Sequence, residues 1–466
     1  MIKIVYFVNF LLILWFLLFQ NKNYRSSLKW LLLFLVFPLF SFIIYFFVGI
    51  GIKIDKKRYQ QVKTRVEKIF QPIENSYMCN NLEVEEVLKH NINLGAFELS
   101  YYNDVYYFCD GDEYYDSLLS DILKAKHSIH IEMYIFKDDQ FGNDLMDLLL
   151  KKAQEGVKVK IVYDPNGNLR NKFGWHKKYA NKNLTIVTCY PFIHQIRNFN
   201  YRNHRKIIVI DGSIAYLGGF NFGLEYASLD DKVNRFRDTQ IKIQGECVSV
   251  LQKQFLIDFY YAYSFKKREF DIDVSSEDIK INRVKKMLPI QIGSTSYSIR
   301  ENIKRMKLKI ISLAKKEIFI QTPYFILDIS MMEILKMQIL SGVKVNIMIP
   351  LKYDQKIPYC ATIANCKELY NLGAKIYLYE GFIHAKTLIV DDKFLVIGSS
   401  NFDIRSFSSN LETDAYIYSY NEVNRYKNIF HIDICSSIEF DEKMESRFHH
   451  TYNFGYKVFK LISSIL

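Results

Sequence analysis

Two apolar runs open the chain. Residues 4–19 carry no charge, and residues 30–52 carry none either, broken only by Pro38 and the glycines at 49 and 51. The second run is long enough to cross a bilayer as a helix. The first is long enough if Lys3 and Gln20 lie at the interfaces. The first run has no clear small-residue cleavage site and a second apolar run follows at once. The pattern therefore predicts a retained transmembrane hairpin over 1–52 rather than a cleaved signal.

Beyond the hairpin the pattern alternates between helical and strand periods. Helices are predicted over 116–126 and 142–155, with strands over 128–136 and 157–163. The same order returns later, with helices over 303–315 and 329–341 and strands over 317–321 and 343–349. Such alternation implies α/β layers around a largely buried sheet. The copies also match residue by residue. Ala-Lys-His-Ser-Ile-His-Ile at 125–131 resembles Ala-Lys-Lys-Glu-Ile-Phe-Ile at 314–320, and Gly-Val-Lys-Val-Lys-Ile at 156–161 resembles Gly-Val-Lys-Val-Asn-Ile at 342–347. Matched positions run from 125 to 314, from 156 to 342 and from 204 to 384, offsets of 189, 186 and 180 residues. Three segments in one order indicate an internal duplication. The expected organisation is a hairpin at 1–52, a connecting segment at 53–110, a first domain at 111–265, a linker at 266–285 and a second domain at 286–466. A polar loop is expected at 227–236. The tail at 456–466 reads as a packed strand or helix, or as a short membrane-contacting helix.

The third matched segment carries chemistry. His204-Arg-Lys206-Ile-Ile-Val-Ile-Asp211 recurs as His384-Ala-Lys386-Thr-Leu-Ile-Val-Asp391. Histidine and lysine stand at i and i+2, on one side of an extended strand, so both can reach one phosphate. A neutral imidazole attacks a phosphodiester without charge repulsion, and a second, protonated imidazole can release the alkoxide. The lysines would neutralise the phosphate oxygens. Asp211 and Asp391, each past a buried strand, suit strand-end capping better than substrate contact. The other histidines, at 90, 127, 130, 176, 194, 431, 449 and 450, follow no such pattern and read as structural or surface residues; core packing suffices for His431. The aromatic cluster at 101–108 reads as strand packing, and Tyr324 in Gln321-Thr-Pro-Tyr-Phe as a candidate pocket-lining residue.

A net charge of +12 favours anionic partners, nucleic acid or anionic lipid, without choosing between them. Six basic residues lie between 53 and 65 against three between 22 and 29, which places the large part of the chain in the cytoplasm. Seven scattered cysteines, at 79, 109, 189, 247, 360, 366 and 435, fit reduced thiols there.

The paired His-x-Lys-x4-Asp motifs resemble those of the phospholipase D superfamily. Within it the chain is similar to the bacterial cardiolipin synthases, through the apolar N-terminus, Tyr134-Ile-Phe-Lys-Asp-Asp139, Gly218-Gly-Phe-Asn221, Arg237-Asp-Thr239, Gln321-Thr-Pro-Tyr-Phe325 and Gly398-Ser-Ser-Asn401. The resemblance implies two pseudo-symmetric phospholipase D-like α/β/α domains with mixed sheets, preceded by the two-helix transmembrane hairpin, in a multi-pass protein of the cell membrane. It implies a phosphatidyltransferase that makes cardiolipin and glycerol from two phosphatidylglycerol molecules through a phosphohistidine. Membrane lipid is then the partner, with no nucleic acid, no cofactor and no metal. The motif residues His204, Lys206, Asp211, His384, Lys386 and Asp391 become the catalytic set, with His204 the nucleophile and His384 the acid by family tendency. Asn221, Ser399 and Asn401 become phosphate-binding residues. Glu412 becomes the carboxylate on the motif histidine of the second copy, and Asp238 that of the first. Gly219 departs from the serine found at 399. Same-chemistry alternatives are another phosphatidyl transfer, a phospholipase or a membrane-tethered nuclease.

Overall fold

The computed structural model describes residues 2–19, 24–38, 40–45, 55–73, 82–95, 97–172, 174–190, 201–227, 236–267, 270–297 and 300–441. The tail at 456–466, most of the predicted loop at 227–236, Cys79 and the histidines at 194, 449 and 450 lie outside these residues.

The N-terminal part folds as helices Ile2–Phe19, Tyr24–Val36 and Phe40–Ile44. Pro38 has no N–H to continue the second helix, and Ser41 Oγ donates to the Phe37 carbonyl at 2.6 Å across the break. At about 1.5 Å per residue the 13-residue helix reaches only ~20 Å and the 18-residue one ~27 Å. Among the described residues no helix is long and apolar enough to cross a membrane, so the expected pair of spanning helices is not met there. Phe16, Trp30, Phe34 and Tyr45 pack together as a small core. Ile4, Phe7, Phe10 and Leu18 remain exposed, so this segment is apolar inside and out.

The remaining chain builds one sheet of 15 strands among the described residues. Outward from the middle, the first half runs Phe97–Phe108, Gln240–Gly245, Ile214–Gly218, Ile207–Ile210, Ser128–Met133, Lys158–Tyr163 and Leu184–Thr188. The second half runs Met287–Ser294, Thr413–Ile417, Phe394–Gly398, Thr387–Val390, Glu317–Gln321, Lys344–Pro350, Lys375–Tyr379 and Ser437–Glu439. The two series repeat one strand order, as the duplication predicts. They meet where Phe97–Phe108 pairs antiparallel with Met287–Ser294, Phe97 opposite Gly293 and Ser100 opposite Ile290. The aromatic cluster is thus the centre of the sheet, within the stretch expected to be a connecting segment. An apolar core crosses the join, with Val105 and Val209 from one side and Ile290, Ile389 and Tyr426 from the other.

The predicted helices appear as Gly111–Lys124, Gln140–Gln154, Asn302–Ser312 and Ile329–Leu340. Asp139 and Asp328 cap the second helix of each half, accepting from the N–H groups of Gly142 and Met331. The segment expected as a linker lies along the first half, where Ser128 Oγ donates to Asp278 and Asn282 Nδ2 donates to the Gly212 carbonyl at 3.0 Å. His431 departs from its core reading: it is exposed on helix Tyr420–Cys435, edge-on to Phe319. Helix Lys56–Glu67 packs Tyr59, Val62 and Val66 into a cluster with Phe255 and Phe259 of helix Cys247–Lys266. That contact ties helix Lys56–Glu67 to the first half.

Candidate active site

Each motif histidine precedes a fully buried strand, Ile207–Ile210 or Thr387–Val390. Ile208 lies between Ile131 and Tyr216, and Leu388 between Ile320 and Val396, so neighbours on both sides fix the strand's register. At the far end Asp211 and Asp391 turn the chain with φ of 50° and 52°. The Asp211 carboxylate accepts from the N–H groups of Lys126, His127 and Ser128, and that of Asp391 from Lys315, Lys316 and Glu317. Both aspartates fasten the motif strand to its neighbour. Neither lines the cavity described below.

The carboxylates cross between the halves. His204 Nδ1 lies 3.1 Å from Glu412 Oε2 and 3.1 Å from the Ser399 carbonyl, while His384 Nδ1 lies 2.5 Å from Asp238 Oδ2. The backbone imposes this exchange. The His204 N–H donates to the Leu411 carbonyl at 2.9 Å and the His384 N–H to the Arg237 carbonyl at 2.6 Å, and the carboxylate is the next residue in each case. The expected pairing of each carboxylate with the histidine of its own half is therefore reversed. Nδ1–H facing a carboxylate fixes the tautomer and leaves Nε2 for the cavity.

Burial dominates the titration. It lowers His204 against the pull of Glu412, and pushes His384 down to about 4 with help from Lys386 and against Asp238. Burial raises both carboxyls, but His204 draws Glu412 below its usual range, and Lys386 with His384 does so for Asp238. At neutral pH the pairs are neutral imidazole against carboxylate. Burial and Lys386 lower Lys206 to about 7, and burial lowers Lys386 to about 8. Each lysine Nζ donates back to the carbonyl of its own motif histidine, 2.8 Å for Lys206. The lysines thus lie behind the cavity wall, not in it.

Ser399 also differs from its expected role. Its Oγ donates to Glu412 Oε2 at 2.6 Å and accepts from the Thr413 N–H at 3.1 Å, so it braces the carboxylate. A Cβ at Gly219 would overlap the Asp238 carboxylate, which occupies the space that Ser399 fills in the other half. Asn221 lines the cavity, with Oδ1 accepting from the Ile135 N–H at 3.2 Å. Asn401 lines it too, but its Nδ2 donates to Asp403 Oδ2 at 3.1 Å and its Oδ1 is buried without a partner.

The cavity holds about 670 Å³ and brings His204 and His384 into one wall system with Asn221 and Asn401. Tyr324 lines it, as expected. Sequence reasoning missed Arg202, Arg405, Asn410, Phe236 and Phe382. Arg202 stood two residues before His204, and Phe382 two before His384, where strand alternation points them to the same side. Arg405 and Asn410 carried no such signal. The Tyr134 ring lies 4.7 Å from His204, centroid to centroid.

The family model described as cardiolipin synthase, PLD-like domain, matches residues 118–255 and again 308–434. The chain is 35% identical over 480 residues to a cardiolipin synthase of Oceanobacillus iheyensis, covering all of this chain and 99% of that one. It is 37% identical over 464 residues to a cardiolipin synthase of Listeria welshimeri, covering 96% and 95%. Among solved structures, the phosphatidylserine synthase of Haemophilus influenzae superposes with a TM-score of 0.62 at 14% identity, covering 82% of this chain and all of that one, a likeness of fold.

Proposed function

The chain belongs to the cardiolipin synthase family with PLD-like domains, and from that premise we propose that its cavity transfers a phosphatidyl group between two phosphatidylglycerol molecules, giving cardiolipin and glycerol. One observation carries the site assignment: two histidines share one cavity, each held through Nδ1 by a carboxylate from the opposite half. One neutral imidazole attacks the donor phosphorus and forms a P–N bond. The P–O bond to glycerol breaks, and the other imidazole, once protonated, gives the alkoxide its proton. That imidazole then removes the proton from the acceptor hydroxyl, whose oxygen displaces the histidine. Glu412 and Asp238 stabilise whichever imidazole is charged. Lys206 and Lys386 act from behind the wall, their charge favoured when the anionic phosphate enters. Asn221 offers its amide to the phosphate.

The substrates are lipids, and the exposed apolar N-terminal helices fit a membrane anchor. Helix Lys56–Glu67 would hold the catalytic part at that surface, on the cytoplasmic side by its basic flank. We retain 111–265 and 286–466 as the two PLD-like units, with 1–52 the anchor, 53–110 its connection and 266–285 the linker. Nucleic acid is not a substrate in this reading. The test is incubation of the purified protein in phosphatidylglycerol vesicles. Cardiolipin and glycerol should appear in equal amounts. Phosphatidic acid as sole lipid product would make it a phospholipase, and DNA cleavage without lipid turnover a nuclease.

A further inference from the structure

We infer that Arg205 and Arg237 are positioning residues for the two histidine–carboxylate pairs. Each is a buried guanidinium that ties a histidine's segment to its carboxylate's segment across the join between the halves. The inference rests on the proposed transfer, in which His204 and His384 move the protons, and adds what holds each one against its carboxylate.

Arg205 follows His204 and, by strand alternation, points to the opposite side. It is fully buried. Its Nε donates to Thr413 Oγ1 at 3.0 Å, Nη1 donates to Asp258 of helix Cys247–Lys266, and Nη2 donates to the Thr295 carbonyl. Thr413 is the residue after Glu412. Thr295 holds the Glu412 backbone on both sides: its N–H donates to the Glu412 carbonyl at 3.0 Å, and its Oγ1 accepts the Glu412 N–H at 2.7 Å. The neighbour of His204 thus fixes both contacts of the Glu412 backbone. On the other flank of His204, Asn203 Nδ2 donates to Glu132 Oε1 at 2.6 Å.

Arg237 precedes Asp238 and is buried as well. Its Nε and Nη2 form a fork on Asp433 of helix Tyr420–Cys435, at 3.1 and 2.8 Å. Its Nη1 donates to the Asp238 carbonyl and, at 2.8 Å, to Thr239 Oγ1. Asp433 also accepts from Gln321 Nε2 at 2.8 Å, and Gln321 Oε1 accepts from Thr387 Oγ1 at 3.0 Å. Thr387 begins the strand that follows His384. The neighbour of Asp238 is thereby tied to the strand of its histidine.

The two arrangements are one arrangement entered from opposite ends. Thr239 and Thr413 match, since their carbonyls accept from the N–H groups of Gly219 and Ser399 at 2.9 and 3.0 Å. Asp258 and Asp433 match on the helices that follow those strands. Each guanidinium therefore binds the threonine after a carboxylate and the aspartate of a helix. Ala385 stands after His384 where Arg205 stands after His204, and Leu411 stands before Glu412 where Arg237 stands before Asp238. Each pair has one arginine, supplied from the histidine's side for His204 and from the carboxylate's side for His384. An apolar side chain would fill either place without desolvating a charge. A guanidinium adds hydrogen bonds of fixed direction. Neither arginine lines the cavity, so each acts through its neighbours.

The test uses the full chain, with histidine NMR on selectively labelled protein in detergent and cardiolipin formation in phosphatidylglycerol vesicles. Lysine keeps the charge and loses the fork. Arg205→Lys should lower the His204 titration, because Glu412 raises it, and leave His384 in place. Arg237→Lys should lower His384, which Asp238 raises, and leave His204 in place. In each variant kcat should fall roughly 10- to 100-fold with KM within about threefold, because orientation is lost and substrate contacts are kept. A loosened scaffold would move both histidines in either variant; equal shifts, or none, overturn the assignment. The double variant Arg205→Ala, Leu411→Arg supplies the guanidinium from the carboxylate's side, as Arg237 does. It should recover the turnover and the His204 titration that Arg205→Ala loses, and no recovery overturns the assignment. Wild-type protein that makes no cardiolipin overturns the transfer reading, while the histidine titrations still decide the role of the arginines.

Discussion

Glu412→Gln tests the exchange of carboxylates between the halves. The substitution keeps shape and removes one charge 3.1 Å from His204 Nδ1. At an effective dielectric constant of ~20, a unit charge at that distance stabilises an imidazolium by about 5 kcal/mol. A neutral hydrogen bond from the glutamine restores roughly 1 kcal/mol. The remaining loss, about 4 kcal/mol in the step that charges His204, corresponds to roughly a 10³-fold fall in kcat. Glu412 also accepts from Ser399, Ser406 and Asn410, so some stability is lost as the glutamine NH2 faces these donors. Turnover is therefore read on folded protein, as cardiolipin formed in phosphatidylglycerol vesicles. Because Glu412 raises His204, its removal should lower the His204 titration further and leave His384 in place. Histidine NMR on selectively labelled protein in detergent reads both. A kcat within tenfold of wild type, or a shift at His384 instead, would refute the cross-pairing.

Asp211→Ala removes an acceptor from three backbone N–H groups and puts alanine at a φ of 50°, so it should cost about 2–4 kcal/mol of stability. Its melting temperature should fall by several degrees, while kcat of the folded fraction stays within a few-fold; loss of kcat at unchanged stability would return Asp211 to the catalytic set. Gly219→Ser drives a Cβ into the Asp238 carboxylate and should cut kcat about 10²-fold; a near-normal rate would mean that Asp238 does not need its present position. Stability should fall as the pH drops from 6.5 towards about 4, because the unfolded chain then protonates a histidine that the fold keeps neutral at position 384. Denaturant midpoints at stepped pH should show that slope in wild type and a shallower one in His384→Asn; equal slopes would contradict the burial of a neutral imidazole.

Periodicity and repetition carried most of the architecture. The predicted helix at 329–341 and strand at 317–321 appear within a residue of the observed ends, because Asp328 caps the helix and the apolar Ile-Phe-Ile of the strand is bounded by Glu317 and Gln321. The central strand Phe97–Phe108 was not assigned to the sheet, since its partners are Met287–Ser294 and Gln240–Gly245, far away in sequence. The motif histidines were legible from their repetition. Glu412 and Asp238 were legible as carboxylates but not as partners, because a repeat read along the chain assigns each feature to its own copy. The exchange arises only when the strands meet in three dimensions. Ser399 looked like a phosphate ligand by its place after the motif, and only the position of Glu412 shows that its hydroxyl is engaged.

That exchange changes what the duplication means for chemistry. Each half supplies a histidine whose protonation depends on the other half's carboxylate, so neither copy holds a complete acid–base pair. The two pairs also differ. Asp238 reaches His384 because Gly219 leaves room, whereas Glu412 reaches His204 with Ser399, Ser406 and Asn410 around it. The same Glu412 that holds His204 also anchors the Asn410 amide in the cavity wall. A cavity histidine and an amide of the cavity wall therefore share one carboxylate. Disturbing that carboxylate should change acid–base chemistry and the cavity wall together, whereas disturbing Asp238 should change only the first. The chain can be symmetric in fold and unequal in function through this one shared group.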